Sequence, residues 1–157
     1  MKKVILSIVS IIMLISPYAQ STSEGEKTHV VHDFFLKGIS RFNEHNLDEF
    51  CKQFDVAIQM YTPTGWLRGI NDVKARFVET FKQFPNVHMD IEQLRVTEIN
   101  RKTVIVDFKW HTYPQGKGPA FHGVGSGVYV KKKGRWVEVL EHETVTKVDD
   151  GIMPKSR

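Results

Sequence analysis

The chain has one cysteine, Cys51, in 157 residues, which excludes an intramolecular disulfide framework and leaves stability to packing. Cys51 shares a helical pattern with Leu47, Phe50 and Phe54, the setting of a small core residue and not of a nucleophile. No His-Glu-x-x-His motif occurs, and in Glu141-His142-Glu143 a strand would split the side chains between two faces, so the seven histidines supply no metal motif by spacing. His29 and His32 are helical neighbours at the start of a helix and add none. There is no nucleophile elbow for Ser-His-Asp catalysis and no nucleotide-binding glycine fingerprint. No basic stripe carries interleaved aromatics, which excludes a nucleic-acid surface, and Lys131-Lys132-Lys133 reads as a solvated hairpin tip. The expectation is a protein that uses neither metal nor cofactor.

What is present begins with Lys2 and Lys3 ahead of an apolar run from Val4 to Ile15, then Pro17, Ala19 and Ser21. This is the pattern of a secretory signal peptide over residues 1–21, too short in its apolar run to span a bilayer comfortably. The expected location is therefore exported, periplasmic or secreted, with no membrane attachment once the segment is removed. Its loss takes away two lysines and no acids, so the net charge falls from +4 to +2 (4 minus 2). A flexible linker over 22–27, one α+β domain over 28–148 and a disordered tail over 149–157 complete the expected organisation. The length suits a single core.

Val31, Phe34, Phe35, Gly38, Ile39 and Phe42 recur at helical spacing and predict a helix from Thr28 to Asn43. Asn46, with Glu49 three residues on, predicts a capped short helix from Leu47 to Phe54. Ala57 to Tyr61 and Trp66 to Arg68 read as short strands around a Thr62-Pro63-Thr64-Gly65 turn. Ile70, Val73, Phe77, Phe81 and Phe84 mark a third helix, stopped at Pro85. From Val87 the period becomes two, the signature of a meander of long antiparallel strands. A phase slip between Val87-Met89-Ile91 and Leu94-Val96 predicts a bulge near Glu92-Gln93. Val104, Val106, Phe108 and Trp110 line one face of the next strand.

The strand after that carries Gly123, Gly125 and Gly127 at alternate positions, a face without side chains that suits close backbone packing or, alternatively, a ligand or partner. A three-residue Lys132-Lys133-Gly134 loop would pair Lys131 with Arg135 and set Val130 opposite Trp136 and Val124 opposite His142. One face would then combine Val124, Ser126, Val128, Val130, Trp136, Leu140 and His142, the mixed lining of a small-molecule cavity. A two-residue loop would shift the pairing by one and mix the faces.

In its first helix around His32-Asp33-Phe34-Phe35, its Tyr61-Thr62-Pro63 to Gly65 segment, Arg68-Gly69 and its terminal Gly134-Arg135-Trp136 strand, the chain resembles the nuclear-transport-factor-2-like superfamily, specifically the SnoaL-like group. The resemblance implies a cystatin-like α+β fold: a curved antiparallel sheet packed on three N-terminal helices, forming a cone with a largely apolar pocket and pairing into homodimers through the sheet. Relatives of this kind include isomerases, dehydratases, epoxide hydrolases and noncatalytic assembly modules. The carboxylate base of the isomerases and the Asp-Arg-Asp set of the epoxide hydrolases do not map onto this sequence residue by residue.

The expected function is binding of a small, largely apolar molecule, with lyase, isomerase or hydrolase chemistry as a further possibility. The alternative is a noncatalytic interaction or assembly module. His142, a strand imidazole among apolar neighbours, is the candidate acid or base. Tyr61, Trp66, Arg68, Trp110, Ser126, Trp136 and Leu140 are the candidate ligand-binding residues, with Arg68 near the implied cone mouth suited to an anionic group. Asp107 and Glu138 lie within strands, and the pattern leaves their facing open.

Overall fold

The computed structural model of the protein describes residues 29–149; the expected signal peptide, the linker and all but the first residue of the expected tail lie outside the described residues. Helix α1 (Val30–Asn43) starts at His29, whose Nδ1 accepts from the Val31 backbone N–H at 3.1 Å. Its buried stripe is Val31, Phe35, Gly38 and Phe42. Gly38 belongs there because a Cβ at that position would run into the amide of Gln53. Helix α2 (Leu47–Cys51) is capped by Asn46, which accepts from the Glu49 N–H at 3.3 Å, while the Glu49 side chain turns to Lys52 instead of back to the cap.

The second helix stops three residues earlier than its periodicity predicts. Phe54 opens strand β1 (Phe54–Thr62) and pairs with Glu138, so a tertiary strand pairing overrides the local helical pattern. Strand β2 (Gly65–Arg68) returns antiparallel, and α3 (Ile70–Gln83) follows. Then come four long strands, β3 (Val87–Asn100), β4 (Thr103–Pro114), β5 (Ala120–Lys132) and β6 (Arg135–Asp149). The sheet runs β2-β1-β6-β5-β4-β3. The four long strands form the expected antiparallel meander, but β1 joins β6 in parallel, making the sheet mixed.

The three helices cover one face of this curved sheet and create two apolar clusters. One joins Phe42, Phe50, Phe54, Ile58, Met60 and Phe77 around α2, α3 and β1. The other joins Val31, Phe35, Val104, Val106, Phe108 and Trp136 around α1 and the meander. Edge-on aromatic contacts knit the first cluster, with Phe50 and Phe77 centroids 4.8 Å apart. Asn43 ties α1 to β3 like a ladder rung: its Oδ1 accepts from the Met89 N–H at 2.8 Å and its Nδ2 donates to the Met89 carbonyl at 2.9 Å.

Two irregularities decide which side chains of β6 enter the cone. At the β5–β6 hairpin Lys133 (φ 49°) and Gly134 (φ 80°) form a two-residue loop between paired Lys132 and Arg135, in place of the expected three-residue loop. Positive φ at both loop positions gives a turn whose twist matches the flanking strands. Lys131, not Val130, therefore faces Trp136, and once the bulge beyond is counted His142 faces Ser126, not Val124. Farther on, Val128 pairs with Leu140 and Tyr129 with Glu138, which leaves Val139 as an extra residue in β6. Trp136 and Glu138 face the helices before this bulge, and Glu141, Glu143 and Val145 do so after it. In β3 the expected bulge occurs at Glu92, between paired Ile91 and Gln93.

The three alternating glycines of β5 face the helices and are covered. A Cβ on Gly125 would enter the Phe108 ring, one on Gly127 would meet the Glu138 carboxylate, and one on Gly123 would meet both the Trp110 ring and the Thr144 carbonyl. The close-packing reading of this stretch therefore holds, with side chains from β4 and β6 lying across bare backbone. Because the Thr144 carbonyl is backbone and cannot swing aside, Gly123→Ala is expected to lose about 1–3 kcal/mol by overpacking. Urea denaturation at neutral pH measures this, and a stability unchanged within error would refute the packing role.

Candidate functional site

Inside the cone, β6 presents three carboxyls on successive inward positions: Glu138 opposite Tyr129, Glu141 opposite Gly127 and Glu143 opposite Gly125. The glycines leave the space these side chains occupy. Glu138 is 1% exposed and Glu141 7% exposed. The Tyr129 hydroxyl, itself fully buried, donates to Glu138 Oε2 at 2.7 Å, and the Gln53 carbonyl accepts from the Glu138 N–H at 2.8 Å. From α3, Arg76 donates Nη2–H to Glu143 Oε2 at 2.6 Å and Nη1–H to Met60 Sδ at 3.1 Å. The arrangement is a line, Arg76–Glu143–Glu141–Glu138–Tyr129, from the cone wall to its closed end.

Burial sets the protonation of this line. It pushes the Glu138 carboxyl up to about 8, against the opposing hydrogen bond from Tyr129. Burial raises Glu141 well above the ordinary carboxyl value, and the neighbouring Glu138 and Glu143 add to that. Burial also raises the Tyr129 phenol, with the Glu138 charge behind it, so the hydroxyl remains a donor. Glu141 consequently holds a proton at neutral pH between two carboxyls.

Two buried polar side-chain atoms among the described residues have no hydrogen-bond partner, Glu138 Oε1 and Trp110 Nε1. Glu141 is the carboxyl beside the first, and its hydrogen bonding opposes the rise of the Glu138 carboxyl. The Trp110 indole N–H is likewise unpartnered and shut away, its edge of the ring lying against Gly123, while another part of the ring walls the open space of the cone. That space has an outer cavity of about 120 Å³, walled by Phe42, Phe77, Phe84, Met89, Phe121 and Trp110 with Arg76 and Glu143 as its charged groups. A deeper lobe of about 30 Å³ reaches Gln53, Glu138 and Glu141. Phe77, Met89, Trp110 and Glu143 border both. A space of this kind, apolar with a few convergent polar groups, suits a small ligand in the outer part and a water or a small substituent in the inner.

The residues singled out from the sequence divide between the two faces of the sheet. Trp110 lines the cone. Trp136 is buried at the closed end, edge-on to His29 with centroids 5.4 Å apart, and borders neither lobe. His142 is exposed on the outer face, because the Val139 bulge reverses the facing expected from strict alternation. Leu140 and Ser126 share that face. Tyr61, 37% exposed, stacks on Trp66 at 5.3 Å and lies edge-on to His142 at 6.4 Å, while the Arg68 guanidinium sits 3.5 Å over the Trp66 ring. The structure thus brings Tyr61, Trp66, Arg68, Ser126, Leu140 and His142 together, outside the cone. Asp107, whose facing the sequence left open, is also outside and pairs with Arg95 at 2.8 Å. Glu138 is inside.

The family of the SnoaL-like domain matches residues 35–139. The chain belongs to the SnoaL-like family. Its fold is similar to hexachlorocyclohexane dehydrochlorinase LinA-type3 of Novosphingobium barchaimii LL02, with a TM-score of 0.69, 8% identity, and 78% of this chain and 87% of that one covered. It is similar to a candidate scytalone dehydratase of Novosphingobium aromaticivorans DSM 12444, with a TM-score of 0.67, 12% identity and coverage of 81% and 91%. An NTF-2-like protein of unknown function from Shewanella oneidensis MR-1 aligns with a TM-score of 0.58, 14% identity and coverage of 72% and 94%. These likenesses establish the cystatin-like, nuclear-transport-factor-2-like α+β fold. No curated protein matches the chain in sequence.

Within this SnoaL-like cone, Glu141 and Glu143 are functional candidates that sequence reasoning missed. Their signal was the glycine row of β5: the expected register already set Glu141 and Glu143 on that face, but in sequence the face with Val124, Ser126 and Val128 reads as the lining, whereas the bare face is the inner one.

The raised carboxyls imply a definite pH dependence. Between the unfolded value near 4.5 and the folded value near 8, the folded protein holds a proton on Glu138 that the unfolded chain releases. Stability from this group is thus present at low pH and lost as pH rises through that window, at up to about 1.4 kcal/mol per pH unit. Glu138→Gln is expected to flatten the slope of unfolding free energy between pH 5 and 8. Chemical denaturation across that range tests it, and equal slopes in the two proteins would overturn the assignment.

Proposed function

We propose that this SnoaL-like protein binds a small, largely apolar molecule in the cone and moves a proton on it, as a lyase or isomerase whose acid and base are the chain's own carboxyls. The observation that carries the reading is the line of carboxyls Glu143, Glu141 and Glu138, the last two buried, along one side of an otherwise apolar space. An apolar space with a few convergent polar groups on one side fits a ligand of little polarity. The similar structures that bear activity names, a dehydrochlorinase and a dehydratase, support a lyase-like role on this fold.

In this reading the Trp110 ring packs against the apolar body of the substrate. The Glu143 carboxylate, oriented by Arg76, accepts a proton from an adjacent carbon. Glu141 supplies a proton to the departing group or to the far end of the isomerising system, and the neighbouring carboxyls restore it. Glu143, paired with Arg76, and the buried, proton-holding Glu141 are the base and the acid that such a division of labour requires. His142, on the outer face, takes no part.

The alternative of a noncatalytic assembly module would be favoured by a filled cone and a broad apolar outer face. The cone has an open interior, and the outer face carries Arg95, Asp107, Lys109, Ser126, His142 and Thr144. Export rests on the N-terminal sequence pattern. Pairing through the sheet rests on the family resemblance, and sedimentation of the purified protein is expected to give a dimer, with a monomer at micromolar concentration counting against it.

The central reading is tested by native mass spectrometry of the protein purified from its own host, followed by incubation in deuterium oxide. A retained molecule is expected to gain deuterium at carbon in the wild type and to gain it at least about 100-fold more slowly in Glu143→Gln, the scale of losing a general base. A molecule retained without deuterium uptake would refute proton transfer from carbon, and a protein that carries nothing would count against the ligand itself.

A further inference from the structure

On the outer face, at the end of the sheet away from the β5–β6 hairpin, His111 and His122 are direct partners across β4 and β5. Their rings stack at 4.1 Å with 5° between planes. The bulge in β3 leaves Glu92 without a cross-strand partner, and its carboxylate comes to 3.9 Å from His122 Nδ1. One donor atom from each of Glu92, His111 and His122 lies within 4.8 Å of the others. On its other side, His122 Nε2 is 3.0 Å from Asp149 Oδ2. Lys147 is the cation next to this group and is held on the other Asp149 oxygen at 2.7 Å. Asp90, engaged by the Tyr113 hydroxyl at 3.0 Å, completes the charged surroundings.

We propose that Glu92, His111 and His122 form a binding site for a borderline divalent transition-metal ion of the zinc type. His122 Nε2 stands 3.0 Å from Asp149 Oδ2, which leaves Nδ1, 3.9 Å from the Glu92 carboxylate, as the nitrogen that would bind the ion. The outward carboxylate on the second ring nitrogen is the support that fixes tautomer and orientation in histidine metal ligands. Two imidazoles and one carboxylate prefer zinc, copper or nickel to magnesium or calcium. With bonds of about 2.0–2.1 Å in a tetrahedral shell, donors come to roughly 3.4 Å apart. The site therefore assembles when the two stacked rings rotate out of their parallel arrangement to point one nitrogen each at the ion and close the present spacing of up to 4.8 Å. The groove beside it, about 500 Å³ between His111, His122 and the glycines of the loop at 116 and 118, leaves room for an outer ligand. The site stands on the opposite face from the cone and does not depend on the proton-transfer reading.

The test is calorimetric titration of zinc chloride into the untagged full chain, with magnesium chloride as the hard-cation control. One zinc per chain is expected, with no magnesium binding. His111→Ala and His122→Ala should each weaken zinc at least about 10-fold, and Asp149→Asn, which changes only the supporting carboxylate, about 10-fold. His142→Ala, an outer-face histidine that belongs to neither site, should leave zinc affinity unchanged. Zinc should raise the thermal midpoint of the wild type and not of the His111→Ala/His122→Ala protein. If the histidine variants fail to fold, the exposed Glu92→Gln serves instead, with the same loss expected. Zinc affinity equal in the wild type and in Glu92→Gln or the double variant, or equal affinity for magnesium, would overturn the proposal.

Discussion

The extra residue at Val139 governs much of what this protein can do. A strand that alternated strictly from Trp136 onward would have sent Leu140 and His142 into the cone and Glu141 and Glu143 into solvent. The bulge reverses this after Glu138, so three carboxyls enter one apolar interior on consecutive inward positions. Across the hairpin, the absence of side chains at Gly125 and Gly127 is what makes room for them, since Phe108 and Glu138 already lie against that backbone. Bulge and glycines are two halves of one packing solution, and neither would be tolerated without the other.

Burying Glu138 and Glu141 opposes folding, because a carboxyl removed from water must be paired, hydrogen-bonded or protonated. All three remedies are used along one line: Arg76 neutralises Glu143, Tyr129 donates to Glu138, and Glu141 keeps its proton. The surrounding aromatic clusters of α1, α2 and α3 supply the compensating burial. An acidic group in an apolar interior with one oxygen still unpartnered is a poor structural investment and a useful chemical one. The same fold holds its second cluster of titratable groups on the outer face, where another bulge, at Glu92, aims a carboxylate at a histidine pair. In both places an irregularity in pairing, rather than a local motif, assembles the chemistry.

Much of the scaffold was legible from the chain alone. The apolar stripes of α1 and α3, the Asn46 cap, the change to period two at Val87 and the phase slip at Glu92-Gln93 all depend on neighbours close in sequence. Phe54 was misread as helical because its partner, Glu138, is far along the chain. The candidate site was legible in part: Trp110 was placed in the cavity, the glycine row was noticed, and Glu138 was left undecided. His142 was favoured over its two glutamate neighbours because it shares with Ser126 and Val128 a face that reads as the lining. The loop given one residue too many, and a bulge without a mark in hydrophobic periodicity, wrongly added Trp136 to that face. The Glu92-His111-His122 cluster was invisible for a plainer reason, since its members come from three strands and no spacing rule connects them.

The sequence by itself determined the order of elements and the SnoaL-like fold class, because amphipathic period, capping and turn chemistry act over a few residues and persist wherever the chain goes. Which side chains meet inside the cone was decided only in the tertiary structure. A strand's two faces exchange with a shift of one residue, and that shift is set by the turn and bulges of the assembled sheet.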